Sequence, residues 1–114
     1  MKQNTIAAIA TAPGVGGIGI IRISGDEAFS VISKIFSPKD KFFDLLNPKT
    51  NVMKYGYITD GGKKIDEVMV SFFRAPHSYT TEDVVEINCH GGTVILNKIL
   101  SKVFEAGARI AEPG

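Results

Sequence analysis

Gly14-Val15-Gly16-Gly17-Ile18-Gly19-Ile20-Ile21-Arg22-Ile23-Ser24 is the stretch on which the fold turns. Its first six residues match G-x-G-x-x-G, the glycine pattern of dinucleotide-binding loops, and an apolar run, Thr5 to Ala10, precedes them. That pattern works only when a helix opens at the glycines, so that its N-terminus meets a pyrophosphate. Here Ile20, Ile21 and Ile23 come at once. β-Branched side chains lose rotamer freedom in a helix and suit a pleated backbone, so Ile18 to Ser24 is predicted as a strand. Thr11 to Gly17 is then a loop between two strands. It either only connects them, or its lack of side chains lets backbone approach a flat ligand. No G-x-x-x-x-G-K-[ST] phosphate loop occurs in these residues.

Beyond this strand, Ser24-Gly25-Asp26-Glu27 has the spacing of a capping box. Ala28, Val31, Ile32 and Ile35 succeed it at helical intervals, which predicts an amphipathic helix over residues 25–36, stopped by Pro38. Residues 37–52 read as an irregular connection with a small apolar knot at Phe42, Phe43, Leu45 and Leu46. Lys54 to Thr59 and Lys64 to Phe73 flank Asp60-Gly61-Gly62-Lys63, a hairpin signal. Arg74 to Glu82 forms a loop through Pro76, and Asp83 to His90 is a further strand. Gly91 and Gly92 turn the chain into a second helix with Ile95, Leu96, Ile99, Leu100, Val103 and Phe104 on one face, and Gly107 suits its C-terminal end. Ala108 to Ala111 suits a last short strand. The order is β-β-α-β-β-β-α, with helices between groups of strands, so the expected class is α+β: a mixed β-sheet with two amphipathic helices.

The 114 residues suit a single domain, 1–114. Thirteen basic and twelve acidic side chains leave a net charge of +1, without the basic excess of a chain that grips nucleic acid by itself. Cys89 is the one cysteine, which excludes an internal disulfide and suits a reducing compartment. Met1 to Thr5 passes directly into a strand pattern without the apolar core of a signal peptide. No apolar run approaches the roughly 18–20 residues needed to span a bilayer. The expected location is cytoplasmic, with no membrane partner.

Arg22 stands among isoleucines, and alternation places it beside Ile20 and Ser24 on one strand face. A guanidinium there needs a counter-charge, either a carboxylate of the protein or an anionic group of a ligand. The later strand offers one. Val85, Ile87 and Cys89 alternate onto one face, while Glu86, Asn88 and His90 line the other. Two readings are open: a structural Arg22–Glu86 ion pair with His90 capping the turn, or a formed binding site at the strand end. Cys89 reads as a small core residue. Cys89 and His90 are too few, and wrongly spaced, for zinc.

Three blocks resemble one family. They are Thr5-Ile6-Ala7-Ala8 with the loop from Ala10 to Gly19 and Ile21-Arg22-Ile23-Ser24-Gly25; Ser78 to Gly92; and Ala106 to Gly114. Their order and spacing are similar to the N-terminal, formyl-tetrahydrofolate-binding and dimerisation domain of the tRNA-modification GTPases MnmE/TrmE. The family loop usually reads P-P-G-R-G-G, where this chain has Ala12 and Val15. The resemblance implies a three-part protein in which a helical domain and a GTPase domain come after this one, both absent from these residues. It implies binding of 5-formyltetrahydrofolate or a related reduced folate as one-carbon source, with Arg22 and Glu86 as the contacting residues and a further basic contact beyond Gly114. It also implies a homodimer that modifies the wobble uridine of tRNA together with the flavoprotein MnmG. GTP, potassium, magnesium and the family's catalytic cysteine belong to the other segments, so this chain alone should be non-catalytic, with no catalytic or metal-binding residue and no hold on tRNA by itself. The alternative, from another class, is a dimerisation scaffold without a competent folate site. A third reading is a fragment of a nicotinamide-dependent enzyme.

Overall fold

About half of the residues in the extended segments are β-branched or aromatic, and a single sheet results. The computed structural model describes residues 4–10, 18–75 and 81–111. The elements are β1 (Ile6–Ile9), β2 (Gly19–Ser24), α1 (Ala28–Ser33), β3 (Phe36–Pro38), β4 (Val52–Asp60), β5 (Lys63–Phe73), β6 (Val84–Cys89), α2 (Gly92–Glu105) and β7 (Arg109–Ile110). The sheet has seven strands in the order β3-β4-β5-β6-β2-β1-β7. Every pairing is antiparallel except β1 with β7, so the sheet is mixed.

The class is α+β, but the order differs from expectation by two strands, β3 and β7. The last strand falls within the expected segment 108–111. β3 corrects the helix boundary. The predicted helix over 25–36 is only Ala28–Ser33, because Phe36–Pro38 pairs with Gly56–Ile58 of β4 instead. Pro38 ends not the helix but this edge strand, a place where a missing N–H costs little. The capping box does not form either. Ser24 is held in β2, paired with Ile6 and Val84, and the backbone N–H of Glu27 donates instead to Thr5 Oγ1 at 2.9 Å. The expected hairpin is present, with Gly61 and Gly62 at φ 58° and 84° in the two-residue turn that such twisted strands favour.

Both helices lie on one face of the sheet. Ile21 and Ile23 of β2, Val85 and Ile87 of β6, and Val70 and Phe72 of β5 meet Val31 and Ile32 of α1 and Ile99 and Val103 of α2. Ile95, Leu96, Leu100 and Phe104 pack partly buried around them, as the helical spacing predicts. Each fully buried aliphatic side chain contributes about 1.5–3 kcal/mol relative to exposure. Gly19 lets α2 lie close over β2: a Cβ there would lie 2.5 Å from Leu96 Cδ2, and the end of that side chain would have to shift. The predicted knot divides: Phe43 and Leu45 pack on the core, with the Phe43 ring 5.1 Å from Phe72, while Phe42 and Leu46 point outward. Among the described residues no helix is long and apolar enough to cross a membrane.

The glycine loop from Thr11 to Gly17, and Ser78 to Thr80 of the second family-like block, lie outside the described residues. The element that comes after the glycines is described, and it is β2, not a helix. The dinucleotide reading loses the helix N-terminus on which its mechanism depends.

Candidate functional site

The face of the sheet opposite the helices carries the polar side chains. Register sets them in rows. Ala8, Arg22, Glu86, Ser71 and Met53 stand abreast across β1, β2, β6, β5 and β4. The next row holds Ile20, Asn88, Met69 and Tyr55.

Arg22 and Glu86 are therefore direct cross-strand partners. Arg22 Nε donates to Glu86 Oε2 at 2.9 Å and Nη2 lies 2.8 Å from the same oxygen. The pair is asymmetric in solvent: the Arg22 side chain is 42% exposed and that of Glu86 13%. Both residues singled out from the sequence thus come together.

Asn88 and His90 do not join them. Asn88 Nδ2 donates to the carbonyl of Met69 at 3.3 Å. His90 lies past the end of β6, with Nδ1 3.1 Å from the carbonyl of Glu67. The backbone N–H groups of His90 and Gly91 both donate to Asp66 Oδ2, at 2.8 and 3.2 Å. Asp66 of β5 thus holds the turn that leads from β6 into α2. Cys89 is buried in the core, and burial, with Asp66 adding to it, pushes its thiol pKa up to about 12. Among the described residues no group of three or more His, Cys, Asp or Glu is arranged to hold a metal.

Beside Arg22 the same face holds a cavity of about 290 Å³. Ile6 and Ala8 of β1 floor it, and its polar lining is Arg22, Ser24 and Glu82. The residue before Glu82, Thr81, sits at φ 61°, a left-handed conformation costly for a β-branched side chain. Reading the sequence for strand faces missed Glu82, because it precedes β6. The signal was Ala8, whose short side chain leaves room over β1 beside Arg22.

A family model described as GTP-binding protein TrmE N-terminus matches residues 5–114. The chain belongs to this family. The TrmE N-terminal assignment agrees with its relatives. The tRNA modification GTPase MnmE of Lachnoclostridium phytofermentans is 56% identical over 114 residues, which cover 100% of this chain and 25% of that protein. MnmE of Moorella thermoacetica is 52% identical over 116 residues, again 100% of this chain and 25% of the relative. MnmE of Lactiplantibacillus plantarum is 53% identical over 113 residues, 97% of this chain and 24% of the relative. The TrmE N-terminal chain spans about a quarter of the length of these relatives.

Proposed function

We propose that this chain binds a reduced folate of the 5-formyltetrahydrofolate type and forms a homodimer, as the N-terminal part of a cytoplasmic GTPase that modifies the wobble uridine of tRNA with MnmG. The observation that carries the reading is the Arg22–Glu86 pair beside an apolar-floored cavity on the helix-free face. The chemistry of a folate suits these residues. Its pterin presents a ring N–H beside an amino group, which one carboxylate, Glu86, accepts together. Its glutamate tail carries carboxylates that match the fork of Arg22. A cavity of about 290 Å³ has room for the ring. Met53 and Tyr55, 60% and 56% exposed on the same face, support a second copy as partner. GTP with its potassium and magnesium, and the hold on tRNA, are placed in the other parts of such a protein.

The test is calorimetric titration of the chain with 5-formyltetrahydrofolate, wild type against Glu86→Gln. The amide keeps the shape and replaces one acceptor by a donor. A charge-assisted bond contributes about 1.5–3 kcal/mol, so affinity should fall roughly tenfold to a hundredfold. Unchanged affinity ends the assignment of Glu86. The scaffold reading has one observation in its favour: Arg22 and Glu86 already satisfy each other. It predicts no titration heat in the wild type.

A further inference from the structure

We propose that the Asp60–Gly61 bond at the tip of the β4–β5 hairpin is a site of isoaspartate formation, and that Lys102, reaching over from α2, is the clamp that holds it back. The reaction needs only this chain and water. The backbone nitrogen of Gly61 attacks Cγ of Asp60. The new N–Cγ bond closes a succinimide ring, and one carboxyl oxygen leaves as water with the proton of the amide and the proton of the acid. Water then reopens the ring. Addition at Cγ breaks the new bond and restores aspartate. Addition at the backbone carbonyl breaks the original peptide bond instead. The chain then runs through Cβ and Cγ, and the old carbonyl carbon becomes the free carboxylate.

Three observations carry the site. First, the attacking nitrogen belongs to a residue with no side chain to hinder it. Asp60-Gly61 is the one Asp-Gly pair in the sequence, and no Asn-Gly occurs. Gly61 and Gly62 turn at φ 58° and 84°, and nothing would lie within 4 Å of a Cβ at either. Second, water reaches the bond. The Asp60 side chain is half-exposed, and with Gly61, Gly62, Lys34, Lys102 and Glu105 it lines an open cleft of about 430 Å³. Third, the residue is restrained twice. Its backbone pairs with Lys63 across the turn. Its Oδ1 accepts from Lys102 Nζ at 2.9 Å, and the same ammonium is anchored on Glu105 Oε1 at 3.1 Å. A carboxylate held outward on α2 is not free to turn toward the Gly61 nitrogen. The hydrogen bond from Lys102 also holds this carboxyl below its usual range, in the charged form, which is a poorer electrophile than the acid.

Conversion undoes its own restraint. An isoaspartyl residue has one carbon more in the backbone and one fewer in the side chain, so the carboxylate moves away from Lys102 and the pairing with Lys63 is displaced. The hairpin then loosens from the end of α2 in one direction. The partner chemistry that would reverse this is methylation of the isoaspartyl carboxylate, which makes it a better leaving group for a second ring closure.

The test ages the chain in buffer and reads the tryptic peptide Tyr55 to Lys63, in which the isoaspartyl form separates from the aspartyl form at equal mass. The samples are folded wild type, wild type in urea, Lys102→Met and, as a control with the same loss of charge from α2, Lys98→Met. The chain in urea should convert fastest. Lys102→Met should convert about two- to fivefold faster than folded wild type, the margin by which an exposed ion pair holds its partners. Lys98→Met should age like the wild type, since Lys98 makes no bond to Asp60. A Lys102→Met chain that melts as a folded protein and ages no faster than the wild type overturns the clamp. If that variant does not fold, salt decides: high salt screens the pair and should speed the folded wild type, and no acceleration overturns the clamp. Absence of isoaspartate at Asp60 in urea overturns the site itself.

Discussion

At the scale of single residues, two side chains have properties their types do not suggest. Cys89 is a thiol that stays protonated. Burial raises its pKa to about 12, so at pH 8 almost none is thiolate, the form that reacts. Iodoacetamide should label it only after unfolding, and mass spectrometry would show this; rapid labelling of the folded chain at pH 8 would contradict it. Arg22 is the other. A fully buried ion pair costs about 3–5 kcal/mol to break, but Arg22 is 42% exposed, so water screens much of that. Glu86→Gln should destabilise by about 1–2 kcal/mol, between the exposed and buried limits. A thermal melt checks it, with an expected fall of several degrees. A loss far above this would mean that Glu86 anchors the sheet rather than a ligand. The Arg22–Glu86 pairing was legible before the fold was known, because alternation along two strands needs only residue order. Glu82 was not, because its place depends on Thr81 and Asp83 in a connection without periodicity.

At the scale of elements, what the local sequence could not supply came from elsewhere in the chain. α1 takes its start from Thr5, 22 residues before Glu27, so the nearby Ser24 and Glu27 pointed to a capping box that tertiary structure replaced. Its end was lost to β4, where Ile58 accepts Phe36 as a strand partner. The longer elements were readable because 3.6-residue and two-residue periods persist through them, as in α2 and in the β4–β5 hairpin. The approach to α2 shows the same dependence on distant partners, since Asp66 of β5 accepts from the N–H groups of His90 and Gly91 just before it. Asp66→Ala should cost about 0.5–2 kcal/mol through the loss of these two hydrogen bonds. Amide exchange should then speed up at His90 and Gly91 and in the first turn of α2, but not in β4. Uniform acceleration over the whole sheet would show that Asp66 does more than hold this turn. Gly19→Ala should cost no more than about 1 kcal/mol in a thermal melt, the low end of overpacking, because only the end of the Leu96 side chain must move to admit the new methyl.

At the scale of the molecule, the sheet has one face covered by helices and one that carries Met53 and Tyr55 in the open. A second copy placed there would shield them, and light scattering at micromolar concentration should give twice the mass of the chain. A clean monomer removes the homodimer from the proposal. A Met53→Lys variant of a dimeric chain should shift the balance toward monomer if this face is the contact. The surface ion pairs give a weaker signal. Asp40, Asp60 and Glu67 have their carboxyl pKa values lowered, first of all by hydrogen bonds from Lys54, Lys102 and Lys39. Their contribution is present above the ordinary carboxylate pKa and is lost as pH falls through the lowered values, so acid should loosen the chain only below about pH 4. β7 has a consequence in time. It joins the sheet beside β1, with Arg109 opposite Ile6, so a strand made late in this segment pairs with one made early in it. During synthesis β1 keeps an unpaired edge until nearly the whole of this segment has emerged. A nascent chain arrested before residue 109 should therefore be more easily digested than one arrested well past residue 111, although β1 through β6 are present in both.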